Sequence, residues 1–246
     1  MSEKEAVALR IFDDADALAH ATAARFIELA EASTRERGAF SVALAGGSTP
    51  KRVYRLLGGE ELRARVRWQS VQVFFGDERC VPPDHPDSNY RMASEALLSR
   101  VPLPSENVRR MLGEADAETG ARLYERELRS YFDADDWPRF DLVLLGMGDD
   151  GHTASLFPYT AALEERTRWV VANRVEQLDA FRLTLSAPAI NRARQIVFNV
   201  AGAAKAERLR EVFKGRCDPS RLPAQLIHPV AGRLEWLVDR AAAEKL

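Results

Sequence analysis

The chain has 246 residues, 46% of them hydrophobic, enough to bury a substantial core. Its 35 basic and 37 acidic residues are interspersed and leave a formal net charge of −2, which excludes both a basic surface for nucleic acid and a polybasic segment for membranes. Cys80 and Cys217 stand far apart and fit no C-x-x-C spacing, pointing to reduced thiols and away from a metal site.

The opening stretch, "MSEKEAVALRIFDDADALAHATAARF", has acids and a lysine where a signal peptide has its apolar run. No later run reaches the roughly 20 apolar residues that span a bilayer. The expected location is therefore cytoplasmic, and the expected partners are small molecules. After a short apolar run at 7–12, an aspartate cap leads into a long amphipathic helix with Leu18, Ala21, Phe26 and Leu29 on one face and Gly38 as its stop. Strand candidates follow at 40–45, 71–75, 140–145, 169–171, 181–185, 196–201 and 234–238. Several are apolar on consecutive residues, which suits interior strands of a mostly parallel sheet covered on both faces by the intervening helices. With no repeat and no Gly/Ser linker, residues 1–246 are expected to form one α/β domain, a mostly parallel doubly wound sheet flanked by helices.

Ligands of such sheets gather beyond the carboxyl ends of the strands, so the loops there carry the functional reading. In "FSVALAGGSTPKRVYRLL", Gly46, Gly47, Ser48 and Thr49 follow a strand, and Pro50 favours the first position of a helix. Backbone amides and hydroxyls at a helix start suit a phosphate, although a capped structural turn fits the same residues. The spacing of a P-loop is absent. In "VFFGDERCVPPDHPDSNYRMASEALL", Asp77, Glu78 and Arg79 end an apolar run, and Ser88-Asn89-Tyr90 opens a helix. Here an acid and a guanidinium can orient a polar substrate or stabilise developing charge, or form a surface salt bridge with a cap behind it. His85 reads as solvated.

The third loop, "LLGMGDDGHTASLFP", matches G-x-G-x-x-G at Gly146, Gly148 and Gly151. A dinucleotide fingerprint needs a helix after its last glycine, whereas Pro158 interrupts early and Asp149 and Asp150 would repel a diphosphate. The loop instead presents His152 on a glycine turn beside carboxylates, the equipment of a general base, with either aspartate as the candidate orienter. His20 and His228 read as structural. In "FRLTLSAPAINRARQIVFNVAGAAKAERL", Arg182 and Lys205 are isolated cations beside apolar runs, suited to a phosphate or to solvent.

The segments "AGGSTP", "GDERCV" with "SNY" downstream, "GMGDDGHTASLFP", "RLTLSAPAIN" and "AGAAKA" follow the order and spacing of the 6-phosphogluconolactonases, which the chain resembles over almost its whole length. The resemblance implies a modified Rossmann-like fold shared with the glucosamine-6-phosphate deaminases. It also implies hydrolysis of 6-phospho-D-glucono-1,5-lactone to 6-phospho-D-gluconate in the oxidative pentose phosphate pathway, with no cofactor and no metal. Carried onto matching positions, it implies His152 as general base, Asp77 and Arg79 as active-site partners, and Gly47, Ser48, Arg182 and Lys205 around the phosphate. The expected partner is then a small-molecule sugar-phosphate lactone, with no nucleic acid and no membrane, acting on a monomer or weak homodimer. The continuation "GHTASLFP" differs from the run that follows Gly-His in the deaminases.

Overall fold

The computed structural model describes residues 7–133 and 136–246. Residues 1–6, part of the opening stretch considered above, lie outside the described residues. The first strand, β1 (Ala8–Phe12), leads to α1 (Ala15–Arg37). The Asp14 side chain caps this helix by accepting from the N–H groups of Asp16 and Ala17, and Gly38 ends it at φ 81°. There follow β2 (Phe40–Leu44), α2 (Ser48–Leu57), α3 (Glu60–Arg63), β3 (Val71–Phe75), β4 (Asp77–Arg79), α4 (Asn89–Ala96), α5 (Ala117–Phe132) and β5 (Leu142–Leu145). Then come β6 (Val170–Val175), β7 (Ala180–Leu185), α6 (Ala187–Ile190), β8 (Gln195–Val200), α7 (Ala206–Lys214) and β9 (Arg233–Asp239).

Six strands form a parallel sheet in the order β1-β9-β8-β5-β2-β3. Every residue of β2, β5 and β8 is buried, as the consecutive apolar runs require when helices cover both faces. From β2 the chain adds β3 on one side, then returns to add β5, β8 and β9 on the other. The direction of winding thus reverses between β2 and β5, and the loops leaving their carboxyl ends diverge around a crevice.

Two expected members of the parallel sheet lie elsewhere. The runs at 169–171 and 181–185 belong to a separate antiparallel sheet, β4-β7-β6, with Val171 opposite Thr184 and Asp77 opposite Thr184 on the other side. The reason is connection length. Only residues 176–179 join β6 to β7, turning at Asp179 with φ 46°, and a parallel pair needs a crossover of a dozen or more residues. This sheet holds β4 just beyond the carboxyl end of β3, and α5 packs against its β6 and β7 strands.

Candidate active site

At the end of β2, the Tyr54 hydroxyl accepts from the Ala45 N–H at 3.0 Å and donates to the Ala45 carbonyl at 2.8 Å, clamping the strand end to α2. Burial pushes the Tyr54 phenol well above its ordinary range, so it stays protonated for both bonds. Beyond the clamp, Gly46 leaves room for Asn89, whose carboxamide a Cβ would strike, and Gly47 turns the chain at φ 100°. The helix then begins at Ser48, two residues earlier than the proline suggested, so Pro50 occupies the third helical position, where its missing N–H still costs no helical bond. No side chain caps this terminus and no acid stands in its first turn. Its amides and positive dipole end face a crevice, a ready anion site.

Strand β4 separates the three charged residues by its alternation. Glu78 turns inward, 2% exposed, and accepts from the backbone N–H groups of Arg79 (2.8 Å), Asn89 (2.7 Å) and Tyr90 (2.8 Å) and from the Ser88 hydroxyl (3.1 Å). Burial raises its pKa, and those donors only partly offset the effect. Glu78 thus seats the start of α4, the structural role weighed for the whole triplet. Asp77 and Arg79 face the crevice instead. The Asp77 carboxylate accepts from the Ser155 hydroxyl at 2.6 Å and from Asn89 Nδ2 at 3.3 Å. Arg79 donates to the Asp87 carbonyl, and no carboxylate pairs with it among the described residues.

After β5 the chain forms a compact loop in place of a helix. The Gly148 N–H donates to the His152 carbonyl (2.8 Å), the Gly151 N–H to the Gly148 carbonyl (3.1 Å), and Thr153 Oγ1 to the Gly146 carbonyl (2.8 Å). No helix starts at Gly151, where the chain runs through turns for the next nine residues, so the dinucleotide fingerprint fails on structure as well as on charge. Asp150 is the aspartate that meets the histidine: its Oδ1 lies 2.6 Å from His152 Nδ1 and accepts the His152 N–H at 3.0 Å. Burial works to raise the Asp150 pKa, but the hydrogen bonds and charge of His152 outweigh it and hold the carboxyl below the usual range. The Phe157 ring stacks on the imidazole, with centroids 4.1 Å apart and planes at 26°. Asp149 points the other way, into an ion pair with Lys205.

Lys205 ends a short turn after β8, and the Gly202 N–H that starts this turn donates to both oxygens of the buried Asp239 at 3.0 Å. These loops enclose an open cleft of about 240 Å³. Of the seven residues singled out from the sequence, Gly47, Ser48, Asp77, Arg79, His152 and Lys205 line it. Arg182 does not. It stands opposite Arg79 across the β4–β7 pair, in an adjoining hollow with Cys80 and Arg174, and donates to the Phe181 carbonyl at 3.1 Å. Burial and the neighbouring Arg79 charge both lower its pKa, so the two guanidiniums repel, and an anion between them would relieve this.

Sequence reasoning left three supporting residues unassigned. Asn89 appeared only as part of a helix start, Ser155 reaches Asp77 across 78 residues, and Phe157 gave no local signal. Asn199, which also lines the cleft, was passed over too, although a polar residue inside the apolar run "QIVFNVAG" was the signal that could have found it. Among the described residues no cluster of three His, Cys, Asp or Glu side chains is arranged to hold a metal ion, and no helix is long and apolar enough to cross a membrane.

Comparison with known proteins places this geometry. The family described as glucosamine-6-phosphate isomerases/6-phosphogluconolactonase matches residues 13–236. A 6-phosphogluconolactonase of Synechocystis sp. is 48% identical over 215 residues, covering 86% of each chain. The solved 6-phosphogluconolactonase from Trypanosoma brucei superposes with a TM-score of 0.87 at 31% identity, covering 98% of this chain and 99% of that one. A monomeric glucosamine-6-phosphate deaminase, 23% identical, shares the fold with a TM-score of 0.82 over 98% of this chain and 100% of its own. The chain belongs to the glucosamine-6-phosphate isomerase/6-phosphogluconolactonase family.

Proposed function

We propose that the cleft hydrolyses 6-phospho-D-glucono-1,5-lactone to 6-phospho-D-gluconate, the lactone step of the oxidative pentose phosphate pathway, using no metal and no cofactor. One observation carries the reading: a histidine held by a carboxylate at 2.6 Å lines the same cleft as an uncapped, glycine-led helix start. An ionised Asp150 favours the tautomer with its proton on Nδ1, leaving the Nε2 lone pair to take a proton from water. The resulting hydroxide adds to C1, and the oxyanion of the tetrahedral intermediate is stabilised by Arg79, whose charge no carboxylate pairs with among the described residues. As the C1–ring oxygen bond breaks, the imidazolium returns its proton to the departing oxygen, and no covalent intermediate with the protein forms. Asp77, fixed by Ser155 and Asn89, orients the sugar. The phosphate is anchored by the amides and hydroxyl of Gly47 and Ser48, by Lys205 in exchange for Asp149, and by Arg182 from beside Arg79. Binding energy from that remote group places C1 against the water.

The test is acid release from freshly generated 6-phosphogluconolactone in excess chelator, corrected for spontaneous hydrolysis, alongside ammonia release from glucosamine 6-phosphate. Hydrolysis well above background without ammonia is expected. Ammonia release without hydrolysis would assign the family's other reaction instead.

A further inference from the structure

Asn199 has no part in the reaction as written above, yet its surroundings are unusual for a buried amide. It sits near the carboxyl end of β8, is 3% exposed and lines the cleft. Its Oδ1 is fully buried and meets no hydrogen-bond partner among the described residues. Asn173 shares an unpaired Oδ1, but its Nδ2 donates to the Ser155 carbonyl at 2.9 Å and to Thr160 Oγ1 at 3.0 Å, so a structural duty accounts for it. No such bond anchors the Asn199 side chain among the described residues. Leu145, the last residue of β5, pairs with Phe198, so continuing the register brings Asn199 level with Gly146 just past that strand, where an added Cβ would meet only open space. The carboxamide therefore borders room at the floor of the cleft.

A buried amide without a partner lowers stability, and an apolar side chain of the same size would avoid that cost. We infer that Asn199 is a specificity residue whose carboxamide binds a hydroxyl of the sugar, one that the lactone and its open-chain product share. An orphaned acceptor calls for a donor. The phosphate dianion and the lactone carbonyl have no proton to give, whereas a sugar hydroxyl donates to the Oδ1 and can also accept from the amide N–H, so a hydroxyl alone satisfies both ends of the carboxamide. The inference rests on the sugar-phosphate reading of the cleft.

Asn199→Leu and Asn199→Ala are to be compared with the wild type by thermal melting and by calorimetric titration with 6-phosphogluconate and with inorganic phosphate. Unliganded Asn199→Leu is expected to melt about 2–4 °C higher, having lost the orphaned group. Both variants are expected to bind 6-phosphogluconate about tenfold more weakly while their affinity for inorganic phosphate is unchanged. A wild-type protein that hydrolyses the lactone, with 6-phosphogluconate affinity unaltered in both variants, would overturn the inference alone, as would an equal loss for inorganic phosphate. Wild-type protein that neither hydrolyses the lactone nor binds 6-phosphogluconate would overturn the reaction and, with it, this role for Asn199.

Discussion

His152 is the residue on which turnover depends most directly, because it alone moves a proton in the proposed reaction. His152→Ala is expected to lower kcat by about 10²- to 10⁴-fold while leaving the affinity for 6-phosphogluconate nearly intact, as single-turnover kinetics and calorimetry would measure. In the wild type, activity is expected to fall on the acid side of the pH profile, since imidazolium has no lone pair to receive the water's proton. A second acid effect acts on stability through Asp150. Its folded pKa lies below the ordinary carboxylate value, so its contribution is present above pH about 4 and is lost as pH falls through the folded value. Removing the His152 ring removes the side-chain hydrogen bond and the charge that depress it most, leaving only backbone donors. Between about pH 5 and 2, melting temperatures should therefore drop less for His152→Ala than for the wild type. At the other end of the cleft, Lys205→Ala deletes a cation from the proposed phosphate site, and kcat/KM should fall about ten- to a hundredfold. The unphosphorylated lactone, which never had this contact, should react equally well with both proteins. An equal loss on both lactones would remove Lys205 from the phosphate site.

At the level of elements, the loop after β5 is built around the missing side chain of Gly148. A Cβ there would collide with the His152 ring and the Asp150 carboxylate. Gly148→Ala should therefore leave the circular dichroism spectrum unchanged and KM nearly so, yet reduce kcat about a hundredfold, the usual effect of a displacement of about 1 Å. The elements were legible in the sequence to different degrees, for physical reasons. The long helix was plain because Asp14, its buried face and Gly38 are all local signals. The interior strands were plain because burial on both faces leaves continuous apolar runs. Strand β4 was read as a loop, since three charged residues in a row match no strand pattern. Its pairing with β7 is set by partners about a hundred residues away. The same distinction holds inside the cleft. His152, Asp77 and Lys205 stand where strands end and could be found by following the strands. Ser155 and Phe157 act through contacts that only the folded loop creates, and the choice between Asp149 and Asp150 needed the turn at Gly151, φ 88°, to point one inward.

Across the whole molecule, β1 lies at one edge of the sheet and pairs only with β9, with Ala8 opposite Glu235 and Phe12 opposite Asp239. The first strand of this sheet therefore waits for its last to be placed. Asn199, Lys205 and the Asp239 carboxylate that braces the Gly202 turn also belong to the final quarter of the chain. Long-range parallel pairing of this kind forms slowly, because loop closure must precede the contacts that reward it. The consequence is a temporal one: in a folding chain the loop that holds His152 and its aspartate can form before the Lys205 turn and the floor of the cleft are in place, so the arrival of β8 and β9 sets when the cleft is complete. Trp236 reports that moment, lying on β9 with its ring stacked 3.7 Å from Phe198 of β8. On refolding from denaturant, recovery of lactone hydrolysis should coincide with the slow Trp236 fluorescence phase, read in a variant whose other tryptophans are replaced by phenylalanine. Activity that returned ahead of that phase would mean the cleft can assemble without β9.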